Sequence, residues 1–208
     1  MTIQQEVEIR GITRVLHFTH IDNLPFILDK GILTRDSLTE PPAKFNDDIR
    51  LDGHLDATCL SISFPNSKMF YKYRMNRPGD WVILSLDPRI LWEKNCSFYK
   101  CNAASASVSS LDPATLTGLE AFNEMFYETP EPNTRESNNL KPRHTTDVQA
   151  EVLVFSDIDV SYINSVFYTN KKSADDHCGL AQNIKHQYYA TITGSGATLF
   201  SQRDYCLR

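Results

Sequence analysis

His17 and Thr19 in Val15-Leu16-His17-Phe18-Thr19, Arg50 in Phe45-Asn46-Asp47-Asp48-Ile49-Arg50, and Glu151 in Gln149-Ala150-Glu151-Val152-Leu153-Val154-Phe155 are the side chains whose types can do chemistry together. Strand residues two apart point to one side, so His17 and Thr19 can present donors to a single cleft. Glu151 brings a carboxylate to the head of an apolar strand directly after a polar stretch, and Arg50 offers a planar fork of donors that suits phosphate oxygens. Each has an ordinary alternative: a satisfied strand histidine, a solvated strand end, and a surface ion pair of Arg50 with Asp47, Asp48 or Asp52.

The elements that must position these groups are readable. Val15 to Thr19 is a strand, and Asp22 to Lys30 a helix with Pro25 in its first turn and Gly31 as its stop. Leu60 to Phe64 alternates with period two, as a half-buried strand does, and Lys68 to Asn76 is helical up to the Pro78-Gly79 turn. Trp81 to Asp87 predicts a central strand. Asp87 and Asp112 each precede a proline, which launches helices at Pro88 to Lys94 and Pro113 to Tyr127, the second with Leu116, Leu119, Phe122 and Phe126 on one face. Glu128 to Asp147 carries three prolines and no periodicity, a loop long enough to be functional. Gln149 to Phe155 and Tyr162 to Thr169 are strands, and Tyr188 to Thr193 with Thr198 to Ser201 suggests a closing hairpin. No repeat or linker divides the chain, which predicts one α+β domain over residues 1–208.

Composition narrows the class. The 208 residues are 41% hydrophobic, with 21 Lys plus Arg against 26 Asp plus Glu and a net charge of −5. A disordered tail and a bulk basic surface are both excluded. The N-terminus has no basic and apolar leader pattern, which predicts a cytoplasmic protein with no membrane contact. Five cysteines at 59, 96, 101, 178 and 206 include no Cys-x-x-Cys pair, so reduced thiols and no metal are expected.

Contact with nucleic acid would need a local patch. Lys68-Met69-Phe70-Tyr71-Lys72-Tyr73-Arg74-Met75-Asn76-Arg77 holds four basic residues, no acid and three aromatics, the mixture that tracks a single-strand backbone and stacks bases. The alternative is an amphipathic helix that buries its aromatics. Arg135, Lys141, Arg143 and His144 add positive charge to the loop ahead of Glu151. Lys171-Lys172 and Lys185-His186 read as solvated surface.

Taken together, His17-Phe18-Thr19, Asp22-Asn23-Leu24-Pro25, Ile27-Leu28-x-x-Gly31-Ile32-Leu33, Phe45-Asn46 to Arg50 and Gln149-Ala150-Glu151-Val152-Leu153 resemble the DarT family of DNA ADP-ribosyltransferase toxins over roughly residues 13 to 170. The resemblance implies an ADP-ribosyltransferase fold: two small packed antiparallel sheets with flanking helices, forming a cleft that binds NAD as co-substrate. It implies Glu151 and Arg50 as catalytic residues, with Arg50 on the pyrophosphate or assisting proton abstraction from the base. It also implies His17, Thr19, Asn23 and Arg50 as NAD-binding residues. Lys68, Tyr71, Lys72, Arg74, Arg143 and His144 become the expected contacts to single-stranded DNA. The acceptor is a nucleobase, and Leu55 to Ser63 with Phe64-Pro65-Asn66 and Lys68 to Tyr71 is more similar to the guanine-modifying than to the thymine-modifying branch. The implied partner is a cognate antitoxin, a macrodomain or NADAR-type ADP-ribosyl hydrolase. Gly-x-Gly-x-x-Gly is absent, which counts against a dehydrogenase. The rivals are the same fold acting on RNA or protein, and a non-catalytic nucleic-acid-binding module.

Overall fold

The computed structural model describes residues 1–38, 52–188 and 198–207, with Arg50 and the proposed hairpin's residues 189–197 outside them. Among the described residues, seven strands follow one hydrogen-bonded order, β4-β5-β2-β1-β3-β6-β7. These are β1 Val15–His20, β2 Thr58–Ile62, β3 Trp81–Leu86, β4 Cys96–Tyr99, β5 Glu151–Val154, β6 Ile163–Tyr168 and β7 Lys185–Tyr188.

The two-sheet expectation is met in a particular way. β1 pairs with β3 along its whole length, from Val15↔Leu86 to His20↔Trp81, yet meets β2 only at Val15↔Ile62 and Leu16↔Ser61. The strands part after Leu16. Four strands lie on one side of this seam and three on the other, and His17 and Thr19 sit where the gap opens. Every neighbouring pair is antiparallel except β6 and β7, which run parallel and are connected through α6 (Lys171–His177).

Alternation along the strands sorts the core into two faces. Val15 of β1 and Val82, Leu84 and Leu86 of β3 join the main cluster beneath α1 (Ile3–Arg10), α2 (Leu24–Lys30), α4 (Ile90–Glu93) and α5 (Gly118–Glu124). Leu16, Trp81 and Ile83 face the other way, with Phe70 of α3 (Ser67–Asn76) and Phe200. A third cluster of Ala57, Tyr99, Ala103, Val108 and Leu153 underlies the loop after β4.

The predicted helix Pro113 to Tyr127 is broken: Pro113–Leu116 is a single 3-10 turn, and α5 begins at Gly118, whose φ of 78° no continuing helix allows. Phe122 and Phe126 still face the main core, while Leu116 packs on the smaller cluster. The predicted Pro88 to Lys94 helix shortens to α4. Among the described residues, no helix is long and apolar enough to cross a membrane, and no three His, Cys, Asp or Glu side chains are grouped to hold a metal. Cys96, Cys101 and Cys178 are free thiols.

Candidate active site

The seam between β1 and β2 opens into a cavity of about 510 Å³, walled by β1, α2, β2, the start of α3, Asn102 and Ala104, with Glu151 in its lining. His17, Thr19 and Asn23 line the same cavity. His17 is half-buried and donates from Nδ1 to the carbonyl of Cys59 at 3.0 Å, across the gap between the parted strands. A carbonyl can only accept, so the proton sits on Nδ1. Asn23 donates from its amide to the hydroxyl of buried Thr19 at 2.9 Å, which locks the turn into α2 against β1.

Glu151 is 4% exposed, a buried carboxylate at the edge of the cavity. Burying a charge is expensive unless hydrogen bonds replace its water. Both of its oxygens are held: Ala103 N–H donates to Oε2 at 2.9 Å, and the Asn66 amide donates to Oε1 at 3.3 Å. Across the ladder it pairs with Tyr99, whose hydroxyl is pushed up to about 12, chiefly by burial and further by Asp52 and other acids that include Glu151. Sequence reasoning located the glutamate but missed Asn66 and Ala103 as its holders. Asn66 carried a signal as an N-cap ahead of a helix; Ala103, acting through its backbone, carried none.

The expected DNA contacts divide. Lys68 and Lys72 are exposed at the rim of the cavity, one turn apart on α3, and neither carries an ion pair among the described residues. Tyr71 is exposed beside them. Phe70 and Tyr73 are not available for stacking, because they pack with Phe18 and Trp81. Arg74 is turned inward: it donates to the carbonyl of Phe200 at 2.6 Å and lies 4.7 Å over the Phe70 ring, with burial lowering its pKa. Its structural task corrects its assignment to DNA.

His144 needs the same correction. It is buried, accepts the Lys141 N–H on Nδ1, and titrates at about 4 because of burial first and of Arg143, Arg203, Arg135 and Lys141 next. It is a neutral packing group, whereas Arg143 is exposed. The polar loop of residues 128–147 is folded around Arg135, which donates to the Thr146 hydroxyl and to the carbonyls of Lys141 and His144. Lys171 and Lys172 are tied to Asp175 and Asp176, in keeping with a solvated surface.

A family model described as "ssDNA thymidine ADP-ribosyltransferase, DarT" matches residues 16–191. A comparison with curated proteins finds no match. Among solved structures, Thermosipho africanus DarTG in complex with ADP-ribose aligns with TM-score 0.60 and 17% identity over 85% of this chain and 49% of that one. The chain thus spans about half the length of that protein. Thermus sp. 2.9 DarT in complex with NAD+ aligns with TM-score 0.54 and 16% identity over 85% of this chain and 94% of the other. The same DarT with ADP-ribosylated ssDNA gives 0.55 and 16% over 84% and 93%. At these identities the structures share the fold, and the family match covers most of the chain. On that match the chain belongs to the DarT family of ADP-ribosyltransferases.

Proposed function

We propose that the protein transfers ADP-ribose from NAD to a guanine base of single-stranded DNA and releases nicotinamide, as the toxin of a pair whose antitoxin is a macrodomain or NADAR-type hydrolase. The observation that carries this reading is the buried carboxylate of Glu151, held through both oxygens at the wall of a cavity that His17, Thr19 and Asn23 also line. The Thermus relative is bound to NAD+ in one structure and to ADP-ribosylated ssDNA in another, which supports the substrate classes.

In the reaction, the bond between nicotinamide nitrogen and ribose C1 breaks with its electrons going to the nicotinamide ring. A nitrogen of the base forms the new bond to C1, and its proton leaves to a general base. Positive charge develops on the ribose as the old bond stretches. Glu151, accepting a hydrogen bond from the ribose 2-hydroxyl, stabilises that charge more in the transition state than in the ground state. Arg50 contacts the pyrophosphate or assists removal of the base proton, and lies outside the described residues. Lys68, Tyr71, Lys72 and Arg143 are the surface groups that suit a single strand crossing the rim. Bases in a duplex are stacked and paired, so an unpaired strand presents its acceptor at lower cost.

Thymine is the second reading for the acceptor, favoured by the description of the matching family model. Labelled NAD incubated with homopolymer and mixed oligonucleotides, followed by mass spectrometry of the nucleosides, decides activity and base together. Label on guanine with wild type and none with Glu151→Ala is expected. Equal labelling by both proteins, or none by either, overturns the mechanism.

A further inference from the structure

We infer that Asn66 is a positioning residue for the reaction: its side-chain amide orients the Glu151 carboxylate, and its side-chain oxygen ties that carboxylate to the start of α3. This rests on the reading of Glu151 as the catalytic carboxylate. Asn66 is 1% exposed and has all its polar groups engaged. Its backbone N–H donates to Ser61 Oγ at 3.1 Å, on β2. Its Oδ1 accepts the Met69 N–H at 3.1 Å, capping α3, and its Nδ2 donates to Glu151 Oε1 at 3.3 Å. One residue therefore joins β2, through its backbone, to the cationic helix at the rim and the carboxylate at the head of β5, through its planar amide.

A cap alone needs only the oxygen. Asp, Ser and Thr serve as N-caps about as well as Asn, so capping leaves the choice of an amide unexplained. What the amide adds is a neutral donor facing an anion inside a buried site. A bond to the charged form of a carboxylic acid favours that form and fixes its direction. Ala103 N–H on Oε2 and the Asn66 amide on Oε1 together fix the direction in which the carboxylate faces. The same amide plane couples any displacement of Lys68 and Met69 to the angle of the carboxylate.

The separation of cap from donor makes the test clean. Asn66→Asp keeps the capping oxygen and places a second carboxyl against Glu151. Asn66→Ser keeps a cap and removes the donor. Two readouts apply: titration of the Glu151 carboxyl by carbon NMR in selectively labelled protein, and the pH dependence of kcat for transfer to an oligonucleotide, both beside thermal unfolding. In Asn66→Asp the Glu151 titration and the acid limb of kcat are expected to move up together by about one pH unit or more, since neighbouring carboxyls resist joint ionisation. In Asn66→Ser, kcat is expected to fall about tenfold or more at an unchanged KM for NAD, with little change in Tm. An unmoved Glu151 titration in Asn66→Asp overturns the inference. So does a loss of kcat that only follows a loss of Tm, which would leave Asn66 a cap. A titration that moves in a protein with no transferase activity at any pH upholds the hold on Glu151 and removes the proposed reaction instead.

Discussion

Arg203 donates through Nη1 to the carbonyl of Thr145 at 2.7 Å, both residues being buried, and so fastens the C-terminal helix α7 (Arg203–Cys206) to the loop that leads into Glu151. The same guanidinium donates through Nη2 to the carbonyl of Thr146 at 2.9 Å, while the Arg203 N–H reaches Ser67 Oγ at the start of α3. The end of the chain is thus a bracket between α3 and the loop of residues 128–147. Replacing Arg203 with Met keeps much of the volume and orphans two carbonyls. Charged hydrogen bonds are worth about 1.5–3 kcal/mol each, so a loss on the order of 3 kcal/mol and about 6–12 °C in Tm is expected for a domain of this size. Limited proteolysis should then cut within residues 128–147 before any core strand. An unchanged cleavage pattern would show that the bracket does not hold the loop.

Two glycines with positive φ should behave differently. Gly11 ends α1 at φ 64° with open space around the position a Cβ would take, so Gly11→Ala meets only the left-handed penalty of about 1–2 kcal/mol. Gly31 ends α2 at φ 86°, and its Cβ would stand 2.3 Å from the carbonyl oxygen of Ile158. That oxygen accepts the Ile32 N–H at 2.9 Å, and Ile158 N–H donates back to the Ile32 carbonyl at 2.9 Å. Gly31→Ala must displace backbone and break this bridge, for about 3 kcal/mol or more. Denaturant unfolding of the two variants checks the order; equal losses would mean that the close approach at Gly31 is relieved cheaply.

The contrast between what the sequence made visible and what it hid follows the range of each signal. β1, β3 and β5 carry apolar runs or alternation bounded by turn residues, and Gly31 stops α2 by a local conformational demand, so these elements were legible. β4 was not: Cys96, Ser97, Phe98 and Tyr99 are buried on both faces, and a buried four-residue strand has no alternation to show. α1 is mostly polar around its circumference and announces itself only through the capping box of Thr2 and Gln5. β7 is exposed and polar, its place set by pairing with β6. In the site, Glu151 and His17 were findable because strand position and residue type coincide. Arg74 and His144 were misjudged because charge was read from residue type, while their contacts lie with Phe200 and within a folded loop. Arg203 had no local signal at all, since Thr145 and Thr146 are 58 and 57 residues away and Ser67 is 136 away.

Acid should weaken the fold through His144. Its folded pKa of about 4 lies below the ordinary 6.5, chiefly through burial, so the unfolded chain binds the proton first as pH falls. Stability from this group is therefore complete above about pH 6.5 and is lost as pH falls from there through about 4, on the order of 3 kcal/mol in all. His186, lowered mainly by burial, acts in the same direction. His144→Gln keeps an oxygen that can accept the Lys141 N–H and removes the titration. Its Tm should be lower than that of wild type at pH 7, with the two curves converging by pH 4.5. Parallel curves across that range would assign the acid sensitivity elsewhere.

Single-strand binding should respond to Lys68 and Lys72 in one way and to Tyr71 in another. The two lysines sit one turn apart at the rim of the cavity, exposed and without ion pairs among the described residues, so each can neutralise a phosphate and release a counterion. For single strands each such contact contributes about 0.7 to the slope of log K against log salt. Lys68→Ala with Lys72→Ala should therefore flatten that slope by about 1.4 in oligonucleotide titrations. Lys171→Ala with Lys172→Ala, which removes cations already paired with Asp175 and Asp176, should leave it unchanged. Tyr71 contributes area and a π face but no charge, and truncating a stacked aromatic costs about 1–3 kcal/mol per base without altering counterion release. Tyr71→Ala should thus lower affinity at every salt concentration and keep the wild-type slope. A lysine double variant with the wild-type slope would move the strand off α3, leaving the exposed Arg143 side of the loop as its path past Glu151.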